Sequence, residues 1–304
     1  MKNHHGFTLI ELSIVLVIIG LIIGGVLVGK DLIKAAEIRA TISQINKYNT
    51  AVHTFQAKYN ALPGDMNADT ANAYGFLPRG AYAGEGDGNG IIEGVFGDGA
   101  GLNKGTRENI GETLTFWVDL SKAQMIDGNF NIASPTVSIP SPWAIGPEGI
   151  LPPAKLGRSN YFYVWSGGTG WGAAPATPDR YNYFGIVQII NPAFNSDGAT
   201  YWDPGLSVYE AYTIDNKIDD GLPQSGTVTP IYAFNSTVYW AAGGGGATSG
   251  NIGNYTWPQN TPTQLATPYN AINCYDNNNI AGPQTYSIAR NSDQINCVLS
   301  LRFQ

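Results

Sequence analysis

The sequence predicts an α+β protein: one long N-terminal helix, then a head built on an antiparallel sheet. Three observations carry this. The apolar run from Phe7 to Val28 holds a single charge, Glu11. Apolar residues then continue at helical spacing as far as Tyr59. The aromatic and β-branched runs come only later, separated by glycine, proline and asparagine, and late strands after an early helix give α+β order rather than βαβ units.

The first element is the stretch 7–28, which has 22 residues. At about 1.5 Å per residue it covers roughly 33 Å, enough for a hydrocarbon core of about 30 Å. It is longer than the apolar part of a secretory signal, and no small-residue cleavage site follows it. Gly20/Gly24 and Gly25/Gly29 have GxxxG spacing. That spacing reads either as close helix packing or as glycine tolerated in a span. From there Ile38, Ile42, Ile45, Val52, Phe55 and Tyr59 form one helical stripe, with Lys30, Asp31, Lys34, Glu37, Arg39, Gln44 and Lys47 on the wet side. Leu62-Pro63-Gly64 is the stop signal. Glu108 to Ile126 is the next predicted helix, with a broad apolar side (Ile110, Leu114, Phe116, Trp117, Leu120, Ala123) and a stop at Gly128. Residues 134–180 read as ordered loops with short strands. Tyr181 to Ile190 is the best strand, and Leu206 to Ile214 is open between strand and short helix. Val228 to Phe234 and Ser236 to Trp240 read as strands, Gly243–Gly246 as a glycine tip, and Ile295 to Phe303 as the closing strand.

The hexad Gly6-Phe7-Thr8-Leu9-Ile10-Glu11 needs a separate explanation. A carboxylate near the start of a membrane span is costly unless it is paired, so Glu11 predicts a partner. With the following Leu12-Ser13-Ile14-Val15-Leu16-Val17-Ile18-Ile19-Gly20, the hexad resembles the class III signal of type IV pilins and type II secretion pseudopilins. The resemblance implies a pilin-like fold. Residues 1–6 are then a leader, 7–28 the transmembrane and assembly helix, 29–60 its amphipathic continuation, and 61–304 the periplasmic or extracellular head. It implies that a prepilin peptidase cuts after Gly6 and methylates the new amine of Phe7. It also implies that Glu11 pairs with that amine on a neighbouring copy during assembly, since two charges each unfavourable in lipid are favourable together. The protein would be a single-pass inner-membrane precursor and then a structural subunit of a type IV pilus-like filament, with copies of itself or other pilins as partners. A type II secretion pseudopilin and a minor pilin acting as adhesin or binding tip stay open. Many members of the family carry a proline where Val28 stands here. The pattern Phe116 to Ala123 also resembles a helix that recurs in the heads of large pilin-like proteins.

Composition narrows the function further. The net charge is −7, and no basic cluster follows the apolar run, which argues against a general nucleic-acid-binding surface. Of the three histidines only His53 follows the leader, on the long helix, so a Ser-His-Asp or Cys-His site has one residue to draw on. The expectation is a protein that is not an enzyme. The two cysteines, Cys274 and Cys297, predict a disulfide in an oxidising compartment. Closing a loop of about 24 residues contributes roughly 3 kcal/mol in the chain-entropy model.

Two acidic strings are candidate cation sites. Glu85-Gly86-Asp87-Gly88-Asn89-Gly90-Ile91-Ile92-Glu93 resembles the first part of an EF-hand-type calcium loop, with Glu85, Asp87, Asn89 and Glu93 as oxygen ligands. It departs at its first position, which is Glu, and at its twelfth, Phe96. A solvated glycine turn is the other reading. In Asp215-Asn216-Lys217-Ile218-Asp219-Asp220-Gly221, three carboxylates crowd together and call either for calcium or for hydrogen-bond donors. No other cofactor is indicated. Trp143, Trp165, Trp171, Trp202, Trp240 and Trp257 sit in the loop-rich half, where aromatics serve as core staples or as exposed binding surfaces.

Overall fold

The computed structural model describes residues 8–80, 84–96, 103–105, 111–131, 147–166, 181–191, 201–234, 237–241 and 271–303. Helix α1, Leu9–Tyr59, is continuous over 51 residues. It starts at Leu9 rather than Phe7 because Thr8 is extended (φ −78°, ψ 154°) and caps it. It ends where Asn60 turns left-handed at φ 53°, three residues before Pro63. Its buried residues are Ile38, Thr41, Ile45, Tyr48, Ala51, Val52, Phe55 and Tyr59, which share one face of the helix.

Among the described residues the head adds four short α-helices: α2 (Ala68–Ala73), α3 (Glu112–Lys122), α4 (Val208–Ile218) and α5 (Ile288–Asn291). Helix α3 is shorter than predicted. Gly111, at φ 66°, sets its start, and Gln124, at φ 58°, turns the chain away two residues after its end. Ile126 is buried from the following loop. The ambiguous stretch from Leu206 resolves into both alternatives. A two-residue strand, Leu206–Ser207, runs into α4, where Ser207 and Glu210 form a capping box.

The main sheet is antiparallel and has five strands: β1 (Asn160–Ser166), β2 (Asn182–Asn191), β3 (Tyr201–Asp203), β4 (Val228–Thr229) and β5 (Leu299–Arg302). The order is β1–β2–β5–β4, with β3 pairing the far half of β2. Strand β1 lies inside the region read as loops with short strands. All seven of its residues are buried, so the strand carries no alternation to read. Gly185 in β2 stands opposite Tyr163 of β1, and a Cβ there would lie 1.9 Å from the tyrosine ring. The strand thus gives up a side chain to let a ring lie across it. Trp165 stacks on Tyr183 in the next pair but one (centroids 4.6 Å apart), and its indole N–H donates to Ser300 Oγ at 3.0 Å.

Two predicted strands are broken. Val228 to Phe234 divides at Pro230, which has no N–H to donate. Val228–Thr229 pairs with β5, and Ile231–Phe234 forms a hairpin with Thr237–Trp240. Ile295 to Phe303 divides at Val298: Ile295–Cys297 pairs with Leu206–Ser207, and β5 enters the main sheet between β2 and β4. Helix α1 meets the head through Tyr48, whose ring packs edge-on against Trp117 of α3 (5.1 Å) and Phe162 of β1 (5.2 Å). Phe184 and Phe303 stack behind them at 4.2 Å. The architecture is α+β, with a long apolar-tipped helix leading an antiparallel head.

Candidate functional site

The start of α1 is self-capped. The Thr8 amide and hydroxyl each donate to Glu11 Oε2 at 2.8 Å, and the Glu11 amide donates to Thr8 Oγ1 at 3.3 Å. This is a capping box, and its Thr-x-x-Glu spacing is legible in the sequence although only the charge of Glu11 drew notice there. The box holds the carboxylate beside the peptide that joins Phe7 to Thr8. Gly6 and Phe7 themselves lie outside the described residues, as do Trp143, Trp171, Trp257 and Gly243–Gly246.

Every side chain from Thr8 to Val28 is exposed. The most apolar 18-residue window of α1 has a mean hydropathy of 2.9 and none of it is buried within the protein. By length and composition the helix can cross a membrane. A Cβ placed on Gly20, Gly24, Gly25 or Gly29 would meet nothing within 4 Å. The head therefore places no demand on these glycines.

The first acidic loop is arranged differently from the expected ligand set. Around Asp87 gather Asp65, from the turn after α1, and Glu112, the first residue of α3. Oxygens of the three lie within 4.8 Å of one another. Glu85 instead turns its carboxylate toward Gly80, and Glu93 meets the loop by accepting from Asn89 Nδ2 at 3.2 Å. The backbone explains this. Asp65 accepts from the amides of Gly88, Asn89 and Gly90 (2.8, 3.1 and 2.7 Å). Glu112 accepts from Gly86 and Glu93 at 2.9 and 2.8 Å, and from Asp87 at 3.4 Å. The loop thus wraps its N–H groups around two buried acids from elsewhere. Gly86, at φ 103°, makes the closest approach, and a Cβ there would fall 2.5 Å from Met66 O.

Seven residues along the same face of α3, Asp119 repeats the device. It accepts from the Gly64 amide at 2.7 Å and pairs with Arg79 at 2.5 Å, with both side chains fully buried. Burial pushes Asp65 up to about 7, with Asp87 adding to the rise and the loop amides opposing it. Burial also raises Glu112 well above the usual carboxylate range, with Asp65 next in effect. Asp119 is raised by burial against the pull of Arg79. Neither Asp65 nor Glu112 was read from sequence as part of this site, because their partners are amides and leave no side-chain signature.

The second acidic string does come together as expected: Asp215, Asp219 and Asp220 have oxygens within 4.8 Å of one another. Each also has donors of its own. Asp215 accepts from Tyr286 Oη at 2.8 Å and the Gly221 amide at 3.1 Å. Asp219 accepts from the amides of Thr227 and Val228, and Asp220 from the Leu222 amide and Ser225 Oγ. Burial pushes Asp215 up to about 7; Asp220 and Asp219 add to this, and Tyr286 and Gly221 oppose it. Either cluster offers oxygens for a hard cation, and both fasten loops to helices without one.

Cys274 and Cys297 are joined, with Cα atoms 5.1 Å apart. The bridge ties the segment that carries Tyr286 to the strand paired with Leu206, at the entry to α4. His53 is exposed on α1. No acid of α1 is paired with it among the described residues.

No curated protein and no solved structure matches the chain. Residues 1–27 match the family model of the prokaryotic N-terminal methylation motif, and the chain therefore carries the prepilin-type signature of type IV pilins and pseudopilins, a family of structural rather than enzymatic subunits.

Proposed function

We propose that the chain is a structural subunit of a type IV pilus-like filament. A prepilin peptidase cuts after Gly6 and methylates Phe7, and copies then polymerise through α1. The observation that carries this reading is the free half of α1. Residues 8–28 stand clear of the head with every side chain exposed, at the end of the chain that bears the methylation motif. In the precursor this surface lies in the inner membrane, with the head in the periplasm. In the filament the same surface is covered by other copies, and Glu11 faces the amine of a neighbouring Phe7. That pairing makes use of a carboxylate already held at the helix start by Thr8.

Shearing cells and sequencing the N terminus of this protein in the released filaments tests the reading. Abundant methyl-Phe7 there supports a pilus subunit. Its absence from the cell surface, together with blocked protein export in a deletion strain, assigns the chain to a type II secretion pseudopilus instead.

Calcium belongs to the same proposal. What favours it is that each acidic cluster brings three carboxylates together with oxygens within 4.8 Å of one another. A rise in melting temperature when millimolar calcium is added to chelated protein supports it, and no shift removes the ion from both clusters.

A further inference from the structure

Between the end of α1 and helix α2 lies a cleft of about 680 Å³, within the roughly 300–1,000 Å³ typical of small-molecule sites. One wall is aromatic. Tyr59 is buried, and Tyr74 stands edge-on to it at 5.0 Å while keeping 57% of its surface exposed. Tyr74 is thus a large exposed ring at the mouth of a concave surface. Much of the remaining lining is polar. Gln56, Asn60 and Asp69 are exposed along it, and their side chains have no hydrogen-bond partner among the described residues. Asp65 lines the base, held in place by the three loop amides.

We infer that this cleft binds a neutral sugar. The chemistry of the lining selects the class. It carries two carboxylates and no cation, which opposes phosphates, uronates and sialic acids. An ammonium group would use only acceptors and leave the NH₂ groups of the two free carboxamides idle. The cation–π position over Tyr59 is moreover already taken by Lys58, whose Nζ lies 5.0 Å from the ring centroid. A sugar uses everything present. Its apolar C–H face lies on Tyr74, and its hydroxyls both donate and accept, matching carboxamides that do the same. The cleft also sits where a ligand can reach it. Tyr59 closes α1, so roughly 46 Å of helix separates the cleft from Val28, at the membrane-distal end of the stem. The site does not depend on which filament the chain enters.

The test uses the full-length protein in a detergent that has neither a sugar nor an ammonium head group. Saturation-transfer NMR is run with maltotriose, lactose and chitotriose, and with sialyllactose and tetramethylammonium as contrasts. At least one neutral sugar is expected to bind. Tyr74→Ala should weaken it about ten-fold, as loss of an aromatic platform does, while Tyr74→Phe retains it. Gln56→Ala, on the exposed helix surface, should weaken it independently of any effect on folding. No binding by any neutral sugar, equal binding in Tyr74→Ala, or tighter binding of sialyllactose or tetramethylammonium overturns the inference.

Discussion

The phenol of Tyr286 donates to Asp215 across 71 residues of chain, at 2.8 Å. Asp215 has an ordinary pKa of 3.8 and stands at about 7 in the fold. An acid raised on folding binds its proton more tightly in the folded state, so its contribution to stability is full below about 3.8 and is lost as pH rises through about 7. Asp65 and Glu112 act with the same sign. In chelated protein the melting temperature should therefore fall between about pH 4 and about pH 7. Asp215→Asn should flatten part of that fall: the Tyr286 hydroxyl can reverse and accept from the new amide, while the remaining carbonyl oxygen serves Gly221. Identical pH slopes for the two proteins would contradict the assignment.

Asp65→Asn should behave differently. Both oxygens of Asp65 accept backbone N–H groups. An asparagine must point its NH₂ at one of them, leaving two donors face to face in a partly closed site. The expected cost is about 1–3 kcal/mol in denaturant melts at one fixed pH, together with faster amide exchange at Gly88–Gly90.

At the helix start, Glu11→Ala should still insert into the membrane and yield few filaments, which immunoblots of membrane and sheared fractions will show. Normal filament yield would remove the pairing role. Thr8→Ala loses the cap, worth about 1 kcal/mol. Thr8→Ser keeps it and should assemble better than the alanine variant.

The disulfide closes a separation of 23 residues. Replacing both cysteines with serine should lower stability by about 3 kcal/mol, read from urea melts of oxidised and reduced protein. The loss should centre on α4 and the 271–297 segment.

Gly185→Ala sets a methyl against the ring of Tyr163, and overpacking of this kind costs about 1–3 kcal/mol. Pairing it with Tyr163→Ala should recover part of the loss. A strictly additive double mutant would mean that the two positions do not meet.

Much of this architecture is legible in the sequence because it rests on periodicity and caps. The stripe Ile38 to Tyr59, the stop before Pro63 and the strand beginning near Tyr181 all follow from local pattern. What escapes has a common cause. Strand β1 is buried on both faces, so it has no alternation. Tyr48, the residue that joins α1 to α3 and the sheet, reads as a polar-edged tyrosine until its partners 69 and 114 residues away are in place. The acidic loop was legible as a turn, but the acids that organise it, Asp65 and Glu112, act on backbone amides, which every residue except proline carries.

The place of β5 has a consequence for the order of synthesis. It lies between β2 and β4, and every other strand of the main sheet precedes it in the chain. While the chain is still being made, the edge of β2 from Tyr183 to Ile186 has no neighbour on that side. The head therefore closes last at its middle, and until residues 299–302 arrive, each growing copy presents an open edge to any other copy beside it.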